Sequence, residues 1–213
     1  MIALLKVQTL LKSLNGLMEK VGILQQFSEA EVLFTSDTHF CHKNIIRICN
    51  RPFKDVEDMN DQLVENWNKV VHKDSHVFHL GDFALGGVTA WNSILDRLNG
   101  NIHLIMGNHD YQNARAIPVD RFASIDDMLQ IQIKEDEQFL TLCHYPFLTW
   151  GGYERGVWNL YGHYHTQPGH ILQGASCKQY DVGVEQNNYT PLTYQQVKQI
   201  INEQISRFTA ESK

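Results

Sequence analysis

Five short clusters along the 213-residue chain carry side chains that hold cations or move protons: Asp37-Thr38-His39, Gly81-Asp82, Gly107-Asn108-His109-Asp110, His144, and Gly162-His163-Tyr164-His165. Imidazole nitrogens together with carboxylate and amide oxygens, and no thiolate among them, suit first-row divalent ions such as Mn²⁺, Fe²⁺, Zn²⁺ or Ni²⁺. Asp37 and His39 stand two residues apart, and so do His163 and His165; on an extended backbone that spacing projects both side chains to one side. Each pair can then grip one ion from one face. Taken singly, every cluster has an ordinary explanation: His144 as a buried imidazole bonded to backbone, or an Asp or Asn after Gly as a turn residue. Five such clusters in succession, each where an apolar run stops, are not explained that way.

The runs that precede the clusters are short and β-rich. Val32 to Ser36, His76 to Leu80 and Ile102 to Met106 each end at once in Asp or Gly-Asn. Between the first two, Val56, Met59, Leu63, Trp67 and Val70 form one stripe of a helix over Asp55 to Val71, with Asp55 as N-cap. Val88 to Leu98 reads as a second helix, stopped near Gly100. Strand, helix, strand, helix, strand implies a layered α/β domain whose polar strand ends gather along one edge, where open sheets bind ligands. The second half is strand-rich: Met128 to Lys134 and Gln138 to His144 form a hairpin around Glu135-Asp136-Glu137, and Val157 to Gly162 and Gln179 to Val184 follow. A final helix runs from about Thr193 to Arg207, opened by a capping box of Thr193 and Gln196.

Residues 1 to 27 differ from the rest. Leu4, Val7, Leu11, Leu14, Met18 and Val21 alternate spacings of three and four, and Leu10, Leu17 and Leu24 widen the stripe. This predicts an amphipathic helix that either packs on its own domain or assembles copies of the chain into a homo-oligomer; its polar face is too weakly basic to favour a membrane surface. The expected division is an N-terminal amphipathic helix over 1–30, for packing or oligomerisation, and one domain over 31–213.

Composition narrows the function classes. A chain with 43 % hydrophobic and 20 % charged residues is an ordinary globular one. No apolar run approaches the ~18 residues of a bilayer span. A formal net charge of −6 argues against broad electrostatic binding to nucleic acid or anionic lipid. The four cysteines (Cys41, Cys49, Cys143, Cys177) are widely spaced and read as free thiols in a reducing compartment. With no secretory leader read at the N-terminus, the cytoplasm is the expected location.

In this order, the clusters DxH, GD, GNHD, H and GHxH resemble the signature of the calcineurin-like metallophosphoesterases, over roughly Glu31 to Thr193. The resemblance implies a four-layer α/β/β/α sandwich of two mixed sheets with a dimetal site at the strand ends. Carried over by motif, Asp37, His39 and His165 would hold one divalent ion, Asn108, His144 and His163 the other, and Asp82 would bridge them, with Mn²⁺ favoured. Two ions roughly 3.5–4 Å apart can lower the pKa of a bridging water and stabilise both oxygens of an in-line displacement, so the nucleophile is a bridging hydroxide. His109 falls outside the ligand set and can protonate the departing alkoxide, with Asp110 fixing its tautomer.

In the phosphoprotein-phosphatase branch the second block leads to a phosphate-gripping Arg and the third ends in Glu; here they read Gly81-Asp82-Phe83-Ala84-Leu85-Gly86-Gly87 and Gly107-Asn108-His109-Asp110. Both departures argue against a Ser/Thr protein phosphatase, and Asp37 to Asn44 looks like a compact bacterial or phage-type branch. The expected substrate is a small nucleotide-like phosphodiester, read by His42 and Arg155, with Tyr145, Trp150 and Tyr153 placed to stack on a base. A monoester or a short single strand is the alternative; long duplex nucleic acid is not expected, since no basic stripe accompanies the core. A non-catalytic scaffold of the same fold would have lost ligands or His109, and neither is lost.

Overall fold

The structure, a computed structural model, describes residues 25–170 and 172–211. Two five-stranded mixed sheets, flanked by helices, make up its body. The first contains β2 (Val32–Thr35), β3 (His76–His79), β4 (Asn101–Ile105), β5 (Ser124–Asp126) and β10 (Leu192–Thr193), in the order β10-β2-β3-β4-β5. The second contains β1 (Gln25–Phe27), β6 (Met128–Ile133), β7 (Gln138–Cys143), β8 (Trp158–Tyr161) and β9 (Gln179–Asp181), in the order β1-β6-β7-β8-β9. β2 to β5 are parallel neighbours, and β7 to β9 are parallel neighbours in the other sheet, so each set brings its carboxyl ends to one edge. A parallel bridge between Ser36 and Gly183 stitches the sheets together at that edge.

Alternation along the strands explains the two cores. Phe34, Phe78 and Ile105 face Leu129, Ile131, Leu140, Leu142 and Leu160 between the sheets. On the opposite face of the first sheet, Leu33, Val77, Ile102 and Leu104 share a core with the helices α1 (Lys43–Ile48), α2 (Val56–Val70) and α3 (Val88–Leu95) through Ile45, Met59, Leu63, Trp67 and Trp91. Asp55 caps α2 by accepting the Asp58 N–H at 2.9 Å. The last helix, α5 (Tyr194–Glu211), packs on β10, β2 and β9 and closes the sandwich with Tyr194, Val197 and Ile201. Its start carries the expected box, in which the Gln196 side chain accepts the Thr193 N–H at 2.8 Å and the Thr193 hydroxyl accepts the Gln196 N–H at 3.3 Å. Between β4 and β5 lie a short α-helix, α4 (Asn108–Gln112), and two 3₁₀ turns, Ala114–Ala116 and Val119–Arg121.

The predicted N-terminal helix needs one correction. Gln25–Phe27 is an edge strand parallel to β6, not a helical turn, and Phe27 enters the core edge-on to Phe78 at 5.1 Å. The second sheet of the domain therefore starts before the boundary drawn at residue 30. The remainder of that segment, 1–24, lies outside the described residues. Among the described residues no helix is long and apolar enough to cross a membrane.

At the far end of β3 and β4 the His103 ring is buried between partners, 2.9 Å from His76 Nδ1 and 3.0 Å from the Ser124 hydroxyl. Burial, with His76 adding to it, pushes its pKa down from 6.5 to about 4. The unfolded chain therefore takes up a proton that the folded ring refuses. His103 contributes its full stability above pH 6.5 and loses it as the pH falls toward about 4, at about 1.4 kcal/mol per pH unit. Urea unfolding of chelator-treated protein between pH 7 and pH 4 should show a shallower pH slope for His103→Gln than for the unchanged chain; equal slopes would contradict this assignment.

Candidate metal centre

The five clusters meet where the two sheets are stitched. They do not meet by strand alternation: Asp37, His39, Asp82, His163 and His165 all have left-handed backbones, with φ of 57°, 49°, 57°, 74° and 48°. A residue with a Cβ pays roughly 1–2 kcal/mol for that conformation, and such strain gathers at functional sites. It is held by ladder-like bonds between the loops, Asp37 N–H to Gly81 O at 2.9 Å and His39 N–H to Asp82 O at 3.0 Å. The expectation of an extended backbone at Asp37 to His39 and His163 to His165 is thus corrected: each side chain is aimed by a turn past its strand.

Ligand atoms of Asp37, His39 and His165 lie within 4.8 Å of one another, and so do those of Asp37, Asp82 and His144. Asp82 Oδ2 stands between the two groups, 3.5 Å from His39 Nε2 and 3.7 Å from His144 Nε2. The Asn108 amide oxygen sits 3.1 Å from His144 Nε2 and 3.0 Å from His163 Nδ1. His144 Nδ1 donates to the Leu80 carbonyl at 2.7 Å, which leaves Nε2 as the lone-pair nitrogen turned to the cluster. Asp37 Oδ1 and His39 Nε2 are buried without a hydrogen-bond partner. Unpaired buried acceptors of this kind are costly on their own, and their donor set fits a divalent cation.

The electrostatics call for positive charge at the same point. Burial pushes the Asp37 carboxyl up to about 8, even though His165 works against it. Burial also disfavours charge on His165, but the Cys49 thiol, Glu185 and Asp37 outweigh it and hold its pKa at about 11. His39, by contrast, is pushed well below its ordinary value by burial and by its imidazole and Arg51 neighbours.

Other expected site residues divide. His109 reaches the cluster, with Nε2 3.9 Å from Asp82 Oδ2, its side chain partly open to solvent and its backbone N–H donated to Asp82 Oδ1 at 2.8 Å. By distance alone it forms a third group with His39 and Asp82. His42 also arrives, its Nδ1 3.4 Å from His39 Nδ1. Tyr145 packs against His144 and His163 at ring separations of 4.9 and 4.7 Å and stays half exposed. Asp110 has a different task from the one expected: its buried carboxylate accepts the backbone N–H groups of Asp82, Phe83 and Gly107 at 2.7, 3.0 and 2.9 Å, tying the second block to the third. Those bonds oppose the burial that pushes Asp110 up to about 6. It does not orient the His109 ring. Arg155 is exposed on the turn Tyr153–Arg155 and folds back over Gly152, making no hydrogen bond to the cluster. Trp150 is buried, donating to Val157 O at 2.9 Å, and Tyr153 packs edge-on to it, so both are packing groups of that loop.

Two residues of this region escaped sequence reading. Glu185 is buried 2.9 Å from His165 Nδ1, and Arg51 pairs with it at 2.7 Å. Glu185 directly follows the run Gln179 to Val184, so the strand-end rule that marked the other clusters points to it as well. Arg51 lies in a loop with no such signal.

Comparison with known proteins adds an independent line. The family model for calcineurin-like phosphoesterases matches residues 30–203. The chain belongs to that family. An uncharacterised protein of Methanocaldococcus jannaschii, MJ1445, is 33 % identical over 180 residues, covering 82 % of this chain and 93 % of that one. The gene 66 protein of Mycobacterium phage L5 is 42 % identical over 81 residues, 36 % of this chain and 38 % of its own. Among solved structures, the protein of unknown function AQ665 from Aquifex aeolicus superposes with a TM-score of 0.61 at 24 % identity, covering 79 % of this chain and 98 % of that one, and shares the fold.

Close packing makes the centre intolerant of added atoms. A Cβ on Gly162 would overlap the Ser36 hydroxyl and Asp37 Oδ2. Gly162→Ala should therefore fold with the same circular dichroism but bind Mn²⁺ at least ~10-fold more weakly by calorimetric titration; unchanged affinity would show that Asp37 does not need its present position.

Proposed function

We propose that this calcineurin-like phosphoesterase uses two divalent ions to hydrolyse a small, nucleotide-like phosphodiester. The observation that carries the reading is the placement of Asp82 Oδ2 between His39 and His144. Asp37, His39 and His165 would hold one ion, Asn108, His144 and His163 the other, and Asp82 both; Mn²⁺ is the favoured metal. When bound, such a pair supplies Lewis-acid stabilisation of phosphoryl oxygens and an activated water. With Asp37 and Asp82 as the direct carboxylates, the loaded pocket is net positive inside an acidic chain, which draws phosphate anions.

The protein's own groups do the rest. The partly open His109 Nε2 faces the pocket beside Asp82 and holds the proton that the leaving alkoxide takes. Its backbone N–H fixes Asp82 at the same time, so the acid and the bridge move as one unit. Arg51, whose charge reaches His39 and His42, spends its five N–H donors on Glu185, two backbone carbonyls and the Met59 sulfur and has none left for a phosphate. A singly charged diester needs less compensation than a dianionic monoester, which favours the diester. The half-exposed Tyr145 beside His163 offers a ring face for a base. His42 borders the pocket on the other side. The four free cysteines suit a reducing cytoplasm.

Metal-stripped protein given Mn²⁺ should cleave bis-p-nitrophenyl phosphate in preference to p-nitrophenyl phosphate. Asp82→Asn should abolish the activity. His109→Ala should lower kcat by roughly 10²–10⁴ while retaining both ions by elemental analysis; loss of an ion in that variant would make His109 a ligand and not an acid, and failure of every metal to support either reaction would favour a non-catalytic scaffold.

A further inference from the structure

Arg51 and Glu185 are 134 residues apart in sequence and nearly inaccessible, at 4 % and 3 % exposure. One Glu185 oxygen collects three donors: Arg51 Nε at 2.9 Å, an Arg51 terminal nitrogen at 2.7 Å and His165 Nδ1 at 2.9 Å. The same guanidinium donates to the carbonyls of Thr38 and Asp37 at 2.8 and 2.7 Å. A single buried ion pair therefore fastens the DxH loop to the GHxH loop. These are the loops that carry the left-handed residues Asp37, His39 and His165.

The direction of these bonds matters. Nδ1–H of His165 is committed to Glu185, which fixes the ring and leaves Nε2 as the nitrogen that faces Asp37 Oδ1, 3.9 Å away. A carboxylate behind an imidazole orients a ligand of this kind and makes it more basic. Buried ion pairs add little net stability compared with apolar residues of similar size, so stability alone gives no reason for this one. The other half of the centre has its own support: His144 leans on the Leu80 carbonyl, and His163 and Asn108 hold each other. The side chains of the two halves thus have different supports, and the halves are joined through backbone where Asp37 Oδ2 accepts the His163 N–H at 2.9 Å.

Resting on the two-ion reading above, we propose that Arg51 and Glu185 are positioning residues for one ion only, that of Asp37, His39 and His165, and that their loss empties this half while sparing the half made by Asn108, His144 and His163. A competing use of the same atoms exists, because Cys49, His165 and Glu185 also lie close enough to form a cation site. That use would need His165 Nδ1 free of its proton, whereas the geometry commits it to Glu185.

Full-length stripped protein would be titrated with Mn²⁺ by calorimetry, and its low-temperature EPR spectrum recorded, for the unchanged chain, Glu185→Gln, Cys49→Ser and the paired variant Arg51→Met with Glu185→Leu. The paired variant removes both buried charges together, so no orphaned ion threatens the fold. The unchanged chain should bind two equivalents with the spectrum of an exchange-coupled pair. Glu185→Gln should weaken one equivalent by roughly 10–100-fold, and the paired variant should bind one equivalent with an uncoupled six-line spectrum. Two equivalents with wild-type affinity and coupling in the paired variant would overturn the proposal, as would loss of an equivalent in Cys49→Ser. If the unchanged chain binds a single ion, the two-ion reading fails; the positioning role then stands if the paired variant loses that ion and falls if it keeps it.

Discussion

The carboxylate of Asp37 is fully buried at the junction of two sheets, with one oxygen accepting the His163 N–H at 2.9 Å and the other left without a hydrogen-bond partner. A charge in that position is tenable only beside a counter-charge, and much of the surrounding structure serves to bring one within reach. Gly162 is glycine because a Cβ would collide with this carboxylate and with Ser36. Ser36 in turn donates to the Leu80 carbonyl at 2.8 Å, the atom on which His144 also leans. The sandwich edge is thus a set of loops that constrain one another through a few buried polar groups.

Three of those groups divide the labour. Asp82 faces both halves of the centre, Asp110 anchors through backbone the turns that carry Asp82 and Asn108, and Asp181 anchors the end of the GHxH loop by accepting the Thr166 N–H at 3.3 Å and the Gly183 N–H at 2.8 Å. Burial raises the pKa of Asp110 and Asp181 while their backbone donors pull it down. Anchoring by backbone N–H is a way to keep a carboxylate buried without a cation.

What was legible in the sequence follows the length of each signal. Helix α2 and the strands β2 to β4 and β6 to β8 were readable because their apolar patterns run over several residues and end abruptly in polar clusters. β1, β5 and β10 span three, three and two residues, too short for any period, and β1 is hidden behind a helical stripe that precedes it. The candidate ligands were legible because their chemistry is unusual at strand ends. Their backbone geometry was not, since nothing in DxH or GHxH announces left-handed residues at Asp37, His39 and His165. Asp110 and Arg155 show the limits of residue type: an Asp next to a His suggests a dyad, and an Arg before a metal strand suggests a phosphate clamp, but packing sends the first to backbone donors and leaves the second on the surface. Arg51 was invisible because its meaning depends on Glu185, which lies at the other end of the chain.

In the proposed reading Asp82 bridges two divalent ions. A crystal soaked in Mn²⁺ and measured by anomalous scattering tests it most directly. The account predicts two peaks roughly 3.5–4 Å apart on either side of Asp82, one touching Asp37, His39 and His165 and the other Asn108, His144 and His163. A single peak, or a pair that leaves Asp82 uncoordinated, would contradict it.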